Sequence, residues 1–204
     1  MSNSPHRQVV IACYGGLGRE MAGWLRAHEP DTELLGFIDD VRPQDCLGTI
    51  ADHVPLPGVI YLIANGRGQD RLRIAESLQS RGARIGSLIS PIALLGTRFS
   101  DEDQVILLGR ASVSVDVRIG HQTLIQDLAV VGHDVSIGPG CTLSTFSFLG
   151  GGVQLGTSVT VHPHVTVIPK VSVGDGATLG AGSVVIAPVA ANTTVFGSPA
   201  RPLT

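Results

Sequence analysis

From residue 103 to residue 186 the chain repeats every six residues without one insertion or deletion. The fifth place of each hexad is always aliphatic, from Leu107 and Val113 through Leu179 and Val185. The third place holds only Val, Ala, Thr, Cys or Ser, and half of the sixth places are Gly. A period of six fits neither the 3.6 of a helix nor one long strand, so it calls for short strands joined by regular corners. The third and fifth residues lie two apart, share a strand face and point inward. A glycine at the corner accommodates the turn. Three sides close a coil of 18 residues, and stacked coils pair as parallel strands over aliphatic ladders. The expected fold is a parallel β-helix, its fourteen hexads making between four and five coils.

Residues 7–90 follow a different pattern. Strand-like "RQVVIAC", "LLGFIDD" and "GVIYLIAN" alternate with "REMAGWLRAHE", where Met21, Trp24 and Leu25 have helical spacing, and with the amphipathic "DRLRIAESLQSRG", ended by Gly82. "RIGSLIS" closes the unit. Alternating strands and helices predict a small Rossmann-like parallel sheet of the α/β class. The expected organisation is an α/β domain over 1–90, a linker over 91–102, the β-helix over 103–190 and a C-terminal tail over 191–204.

Composition narrows the function. A net charge of −3 without a basic cluster argues against nucleic-acid binding. No apolar run reaches the roughly 18 residues of a membrane span. The N-terminal "MSNSPHRQVVIACYGG" has no signal-peptide pattern, so a cytoplasmic protein is expected. Cys13, Cys46 and Cys141 form neither a disulfide framework nor a metal-binding pair. Cys141 occupies an inward third place, which suits core better than a nucleophile. His162 and His164 flank Pro163 without a third ligand nearby, so no metal is expected.

Two stretches carry chemistry. "VVIACYGGLGRE" reads as strand, glycine turn and helix start, which exposes N–H groups of Gly15, Gly16, Leu17 and Gly18 to a phosphate. Asp39 and Asp40 end the next strand about 20 residues later, where a carboxylate can reach a ribose or base. Asn65, after the third strand, is a further contact candidate or a cap of the following helix. Gly16-Leu17-Gly18 fits a dinucleotide fingerprint only in part, because Met21 stands where its third glycine would be. In the repeats, His133 occupies a first place beside a corner, with Asp134 after it. Imidazole titrates near neutrality and can take a proton from an amine or hydroxyl, while a neighbouring carboxylate orients the ring.

These hexads, for example "VSVGDGATLGAGSVVI", resemble the hexapeptide-repeat acyltransferases, whose β-helix is left-handed and trimeric. With the preceding "CYGGLGRE" and "FIDD" and the closing "VFGSPARP", nearly the whole chain resembles bacterial acetyltransferases of nucleotide-linked amino sugars, and the related sialic-acid O-acetyltransferase-like proteins. The resemblance implies a homotrimer in which His133, aided by Asp134, is the general base. Transfer would run directly from acetyl-CoA to the amino group of a 4-amino-4,6-dideoxy sugar on a nucleotide. It implies acetyl-CoA contacts from Gly151, Pro163, Gly180 and Ala181, which otherwise read as ordinary corner residues. Lys170, the only lysine, and Arg201 are either candidates for a phosphate of CoA or solvated side chains. The resemblance also points to a nucleotide-sugar site in the α/β unit. Two positions depart from the bacillosamine-pathway members. Thr142 stands where they have a second histidine on the donor, and Leu17 where they have the histidine of Gly-His-Gly. UDP, dTDP and GDP sugars all remain open as acceptors. So does O-acetylation, since one base serves amine and hydroxyl, and so does a non-catalytic trimeric nucleotide-binding scaffold. So few charges between residues 103 and 188 point to an exterior buried against partner copies.

Overall fold

The computed structural model describes residues 7–203. Residues 1–6, part of the stretch read as lacking a signal, and residue 204, the end of the expected tail, lie outside the described residues. The described chain forms two compact units, one of residues 7–66 and 70–86 and the other of residues 67–69 and 87–203.

In the first unit β1 (Arg7–Ala12), α1 (Gly16–His28), β2 (Thr32–Ile38), β3 (Ile60–Ile63), α2 (Gly68–Ser80) and β4 (Arg84–Ile85) follow one another. The sheet order is β2-β1-β3-β4, with every pair parallel. β3 is buried along its whole length, as is most of β1, which suits strands whose two faces are both covered. α1 turns Met21, Ala22 and Leu25 inward. Trp24 stays half-exposed and stacks on His28 at 4.9 Å. Gly82, at φ +92°, ends α2 in the left-handed conformation that glycine tolerates. The connection leaves β1 for β2 on one side and returns to β3 on the other, which opens a crevice at the carboxyl ends of β1 and β3.

The second unit is a parallel β-helix. Its first face stacks Leu88–Ile89, Ile106–Leu107, Leu124–Ile125, Thr142–Leu143, Thr160–Val161, Thr178–Leu179 and Thr194–Gly197. The second face runs from Leu94–Leu95 to Val184–Val185, and the third from Arg118–Ile119 to Ser172–Val173. Paired residues lie 18 apart, as in Leu124↔Thr142 and Val130↔Phe148. All fourteen third-place residues are buried, and so are all fifth-place residues except the partly exposed Ile119.

The helix is longer than the hexad run, with about six turns rather than four to five. The expected linker is part of its first coil, because Leu88–Ile89 pairs with Ile106–Leu107 and Leu94–Leu95 with Ser112–Val113. "RIGSLIS" is therefore divided between the two units. A 3-10 turn at Asp101–Asp103, capped by Ser100, replaces the third side of that coil and masks its period. The expected tail is also part of the fold. Leu179 pairs with Val195, sixteen residues on, so the last coil is two residues short. Ala200–Pro202 then adds an antiparallel strand against Thr194–Gly197.

The corner works differently from the expectation. No sixth-place glycine has a left-handed φ. The left-handed residue is the second place, in every hexad but the one containing Gly109 and Arg110, where Gly109 takes that conformation. Sixth-place glycines answer to stacking instead. A Cβ on Gly120 would lie 2.5 Å from the Pro139 nitrogen of the next coil. Gly120→Ala is therefore expected to destabilise the β-helix by about 1–3 kcal/mol, read as a lower midpoint in thermal unfolding.

Candidate active site

Residues 18 apart occupy equivalent places, so the corner between the second and third faces carries two columns. Val115, His133, Gly151 and Pro169 form one, and Asp116, Asp134, Gly152 and Lys170 the other. Backbone bonds join the coils: Asp134 N–H donates to Val115 O at 3.2 Å, Gly152 N–H to His133 O at 2.9 Å, and Lys170 N–H to Gly151 O at 3.0 Å. Asp134 has φ +58°, a conformation in which Asp is among the better-tolerated residues.

His133 Nδ1 and Asp134 Oδ2 are 2.6 Å apart. A carboxylate can only accept, so Nδ1 carries the hydrogen, and in the neutral ring Nε2 presents a lone pair. The ring rests against Gly151, where an added Cβ would lie 2.7 Å from both Cε1 and Nε2. Gly151, expected as a donor contact, thus makes room for the imidazole. Both side chains are about two-thirds exposed, at 66% and 65%, so solvent weakens the interaction between them in this chain. Lys170 is exposed on the same corner, and its stem passes over Gly152, where a Cβ would sit 3.4 Å from Lys170 Cγ.

The other expected donor residues lie elsewhere. Pro163, Gly180 and Ala181 gather at the corner between the first and second faces, with Pro163 and Ala181 exposed. Thr142 is 7% exposed on the first face between Leu124 and Thr160, which leaves its hydroxyl little surface for a ligand. Arg201 is exposed on the final antiparallel strand. Cys141 is fully buried, its thiol donating to Gly156 O at 3.0 Å. Among the described residues no group of three or more His, Cys, Asp or Glu could hold a metal ion.

In the first unit a cleft of about 520 Å³ opens at the crevice of the sheet, lined by Gly15, Gly16, Leu17, Asp40 and Asn65 among others. Gly15 caps α1 without a side-chain bond, and no acidic residue occupies the first turn, so the helix N-terminus is open to an anion. Gly18 is not part of the lining. It is buried, and a Cβ there would strike Cys13 O and approach Ala64, so it exists for close packing of α1 on β1.

Asp39 lines the cleft but has little bonding capacity left for a ligand. Oδ2 accepts from Tyr14 N–H at 2.7 Å, and Oδ1 from Val41 N–H at 2.8 Å and Arg42 N–H at 2.7 Å. Burial pushes its carboxyl up, but these three donors and the Arg42 charge outweigh it and hold it below the usual range. It ties the glycine turn to the loop after β2. Asp40 is exposed and uses Oδ1 for Ile50 N–H and Ala51 N–H, which leaves Oδ2 for a ligand.

Sequence reasoning passed over Tyr14, Arg42, Asp70 and Arg73, which also line this cleft. It also passed over Arg71, fully buried, whose guanidinium donates to Asn65 O at 2.7 Å and Gly66 O at 3.2 Å. Arg71 shares the inward spacing of Ile74, Ala75 and Leu78, so an arginine on the apolar stripe of α2 was the available signal. Burial pushes the Cys13 thiol up to about 11, which makes it a poor nucleophile at neutral pH.

A loop bordering the cleft is expected to respond to acid. The Tyr61 hydroxyl, on a fully buried side chain, accepts from Leu56 N–H at 2.9 Å and lies 2.8 Å from His53 Nε2. Its hydrogen can be given to an unprotonated imidazole. Burial first, then the Arg81 charge, depresses the His53 pKa. The folded state binds this proton less readily than the unfolded one, so the stabilisation is complete above the unfolded value of about 6.5. It is lost as pH falls from there through the lower folded value. Melting midpoints from pH 7.5 down to 5.5 are expected to fall more for the wild type than for His53→Gln.

No protein-family model matches the chain. The fold is similar to that of WeeI from Acinetobacter baumannii AYE, with a TM-score of 0.79 and 20% identity over 97% of this chain and 100% of that one. PerB from Caulobacter crescentus, solved in complex with CoA and GDP-perosamine, matches with a TM-score of 0.70 and 25% identity over 97% of both chains. Among curated relatives, the UDP-3-O-acylglucosamine N-acyltransferase of Caulobacter sp. (strain K31) is 34% identical over 88 residues, 43% of this chain and 26% of its own length. The chain spans between 26% and 47% of the first curated relatives it matches. Proteins with these likenesses are named as acyl- or acetyltransferases, a perosamine N-acetyltransferase among them. Among the described residues, no helix is long and apolar enough to cross a membrane.

Proposed function

We propose that the chain is an acetyl-CoA-dependent N-acetyltransferase acting on the amino group of a nucleotide-linked amino sugar. The observation that carries this reading is the His133–Asp134 pair, held at 2.6 Å on an exposed corner with Nε2 free. The acceptor amine gives a proton to Nε2 as its nitrogen attacks the thioester carbonyl. Asp134 balances the imidazolium. The C–S bond then breaks, and the CoA thiolate takes the proton back from His133. The acetyl group ends on nitrogen as an amide, and no acyl-enzyme forms. A backbone N–H of the corner would steady the oxyanion.

The open α1 N-terminus, Asp40 and the crevice between β1 and β3 support a nucleotide-sugar cleft in the first unit. The full-length likeness to PerB, which binds GDP-perosamine, favours a GDP-linked acceptor and supports the amine over the hydroxyl. We take the assembly to be a trimer of left-handed β-helices. Outward on the second face Leu94, Val130 and Phe148 are exposed and uncharged, at 68%, 38% and 41%. Covering them with neighbouring copies would also strip water from the exposed base.

The test is release of CoA thiol by the purified protein from acetyl-CoA with GDP-, UDP- and dTDP-linked 4-amino sugars, and with hydroxyl-only counterparts. Turnover on a GDP-linked amino sugar alone is the expected result. Turnover only on hydroxyl sugars would replace the reading with O-acetylation, and CoA binding without turnover on any acceptor would sink the amino-sugar assignment.

A further inference from the structure

An arginine outside the lining of the first unit's cleft holds one of the walls in place. The connection from β2 to β3, residues 39–59, contains only one short 3-10 turn, at Pro43–Asp45. Within it, Ile50 and Ala51 supply the two N–H groups that Asp40 Oδ1 accepts, at 2.7 and 3.1 Å. Those bonds fix the carboxylate whose other oxygen stays open. Ile50 and Ala51 are held in turn by Arg81, which follows α2 directly and is partly buried. Its Nη1 donates to Ala51 O and His53 O, both at 2.8 Å, and its Nη2 to Ile50 O at 2.9 Å. Nε donates to Ser77 O at 3.1 Å, and Nη2 also lies 3.5 Å from Ser77 Oγ, which anchors the guanidinium to the end of the helix.

Ile50 O and Ala51 N–H belong to the same peptide group. A trans peptide points the two in opposite directions, so Arg81 grips one end of that group and Asp40 the other. A cation at the carbonyl and an anion at the N–H both follow the peptide dipole, and each bond strengthens the other. The carbonyl oxygens of 50, 51 and 53 converge on this one cation and would otherwise repel one another. Capping α2 does not require such reach. Nε alone meets the helix carbonyl, while the other nitrogens cross 28 to 31 residues of sequence to the loop.

We propose that Arg81 is a positioning residue for acceptor binding, acting through the Ile50–Ala51 peptide to set the Asp40 carboxylate against the nucleotide. This rests on reading the cleft as the nucleotide-sugar site. Arg81 touches no substrate, and its planar fork spans three carbonyls and the helix as a lysine does not.

The test is calorimetric titration of GDP, UDP, dTDP and CoA into the intact protein and its variants, with steady-state kinetics beside it. Arg81→Gln is expected to raise the Kd of the nucleotide that the wild type binds tightest about tenfold, and to leave that of CoA unchanged. The acceptor KM should rise by the same factor at constant kcat. In an Asp40→Ala background the same substitution should cost nothing more, because the route from Arg81 to the ligand is gone. Arg81→Lys keeps the charge and should recover part of the loss, and it carries the same comparison should the glutamine variant fail to fold. Unchanged nucleotide affinity in both Arg81 variants, an equal loss with and without Asp40, or a fall in kcat at constant acceptor KM would overturn the positioning role alone. Failure of the wild type to bind any of the three nucleotides would overturn both this and the reading of the cleft.

Discussion

His133→Ala is expected to lower kcat by about 10²–10⁴-fold, the usual contribution of a positioned general base. The loss should come without loss of fold. The side chain is 66% exposed, and the one coil-to-coil bond at His133, from Gly152 N–H to His133 O, uses only the backbone. The melting midpoint should stay with the wild type while single-turnover acetyl transfer collapses. Asp134→Asn keeps a residue suited to φ +58° but loses the charge that balances the imidazolium, so it should reduce the rate less. A variant lacking His133 with normal kcat would place the chemistry elsewhere in the molecule.

Gly151→Ala is the sharper geometric test. The nearest atoms to a Cβ at this glycine all belong to the His133 ring, at 2.7, 2.7 and 3.2 Å, and no backbone lies as close. The β-helix can therefore accept the methyl, but the imidazole must move. A shift of about 1 Å at a reacting group can cost roughly 100-fold in rate, and that is the expected fall in kcat/KM. Because the methyl acts only through the ring, adding Gly151→Ala to His133→Ala should cost nothing more, a full coupling in a double-mutant cycle. Independent, multiplicative losses would show that Gly151 has a separate role.

Much of this was legible in residues. The aliphatic fifth places and small third places predicted a β-helix, and they are its buried ladders. The first coil was legible too, since Ala93, Leu95 and Gly96 continue the period backwards. Phe99 and Asp101 broke it, because a 3-10 turn replaced a strand there. Counting in eighteens groups His133 with Gly151 and Asp134 with Lys170, and separates them from Pro163 and Ala181. A reading by sixes does not distinguish the three corners. The reason for sixth-place glycine was hidden because close approach by the next coil is a three-dimensional fact. Asp39 and Asp40 looked equivalent in sequence. Only the folded loop shows that three backbone N–H groups fill Asp39 while one oxygen of Asp40 stays open.

The short last coil and the reversed strand Ala200–Pro202 also govern what this molecule cannot become. A stack of parallel coils has no natural end, since each exposes the hydrogen-bonding edge that recruited it. Unchecked, such edges join copies into fibres. On the first face the final strand runs against the stack, and the missing two residues put the last coil out of step with the eighteen-residue repeat. A second copy arriving in parallel register would find neither its direction nor its pitch. The reversed strand thus occupies the edge on which a further parallel coil would add, and removing residues 198–203 is expected to promote end-to-end association of copies, read as light scattering that grows with concentration.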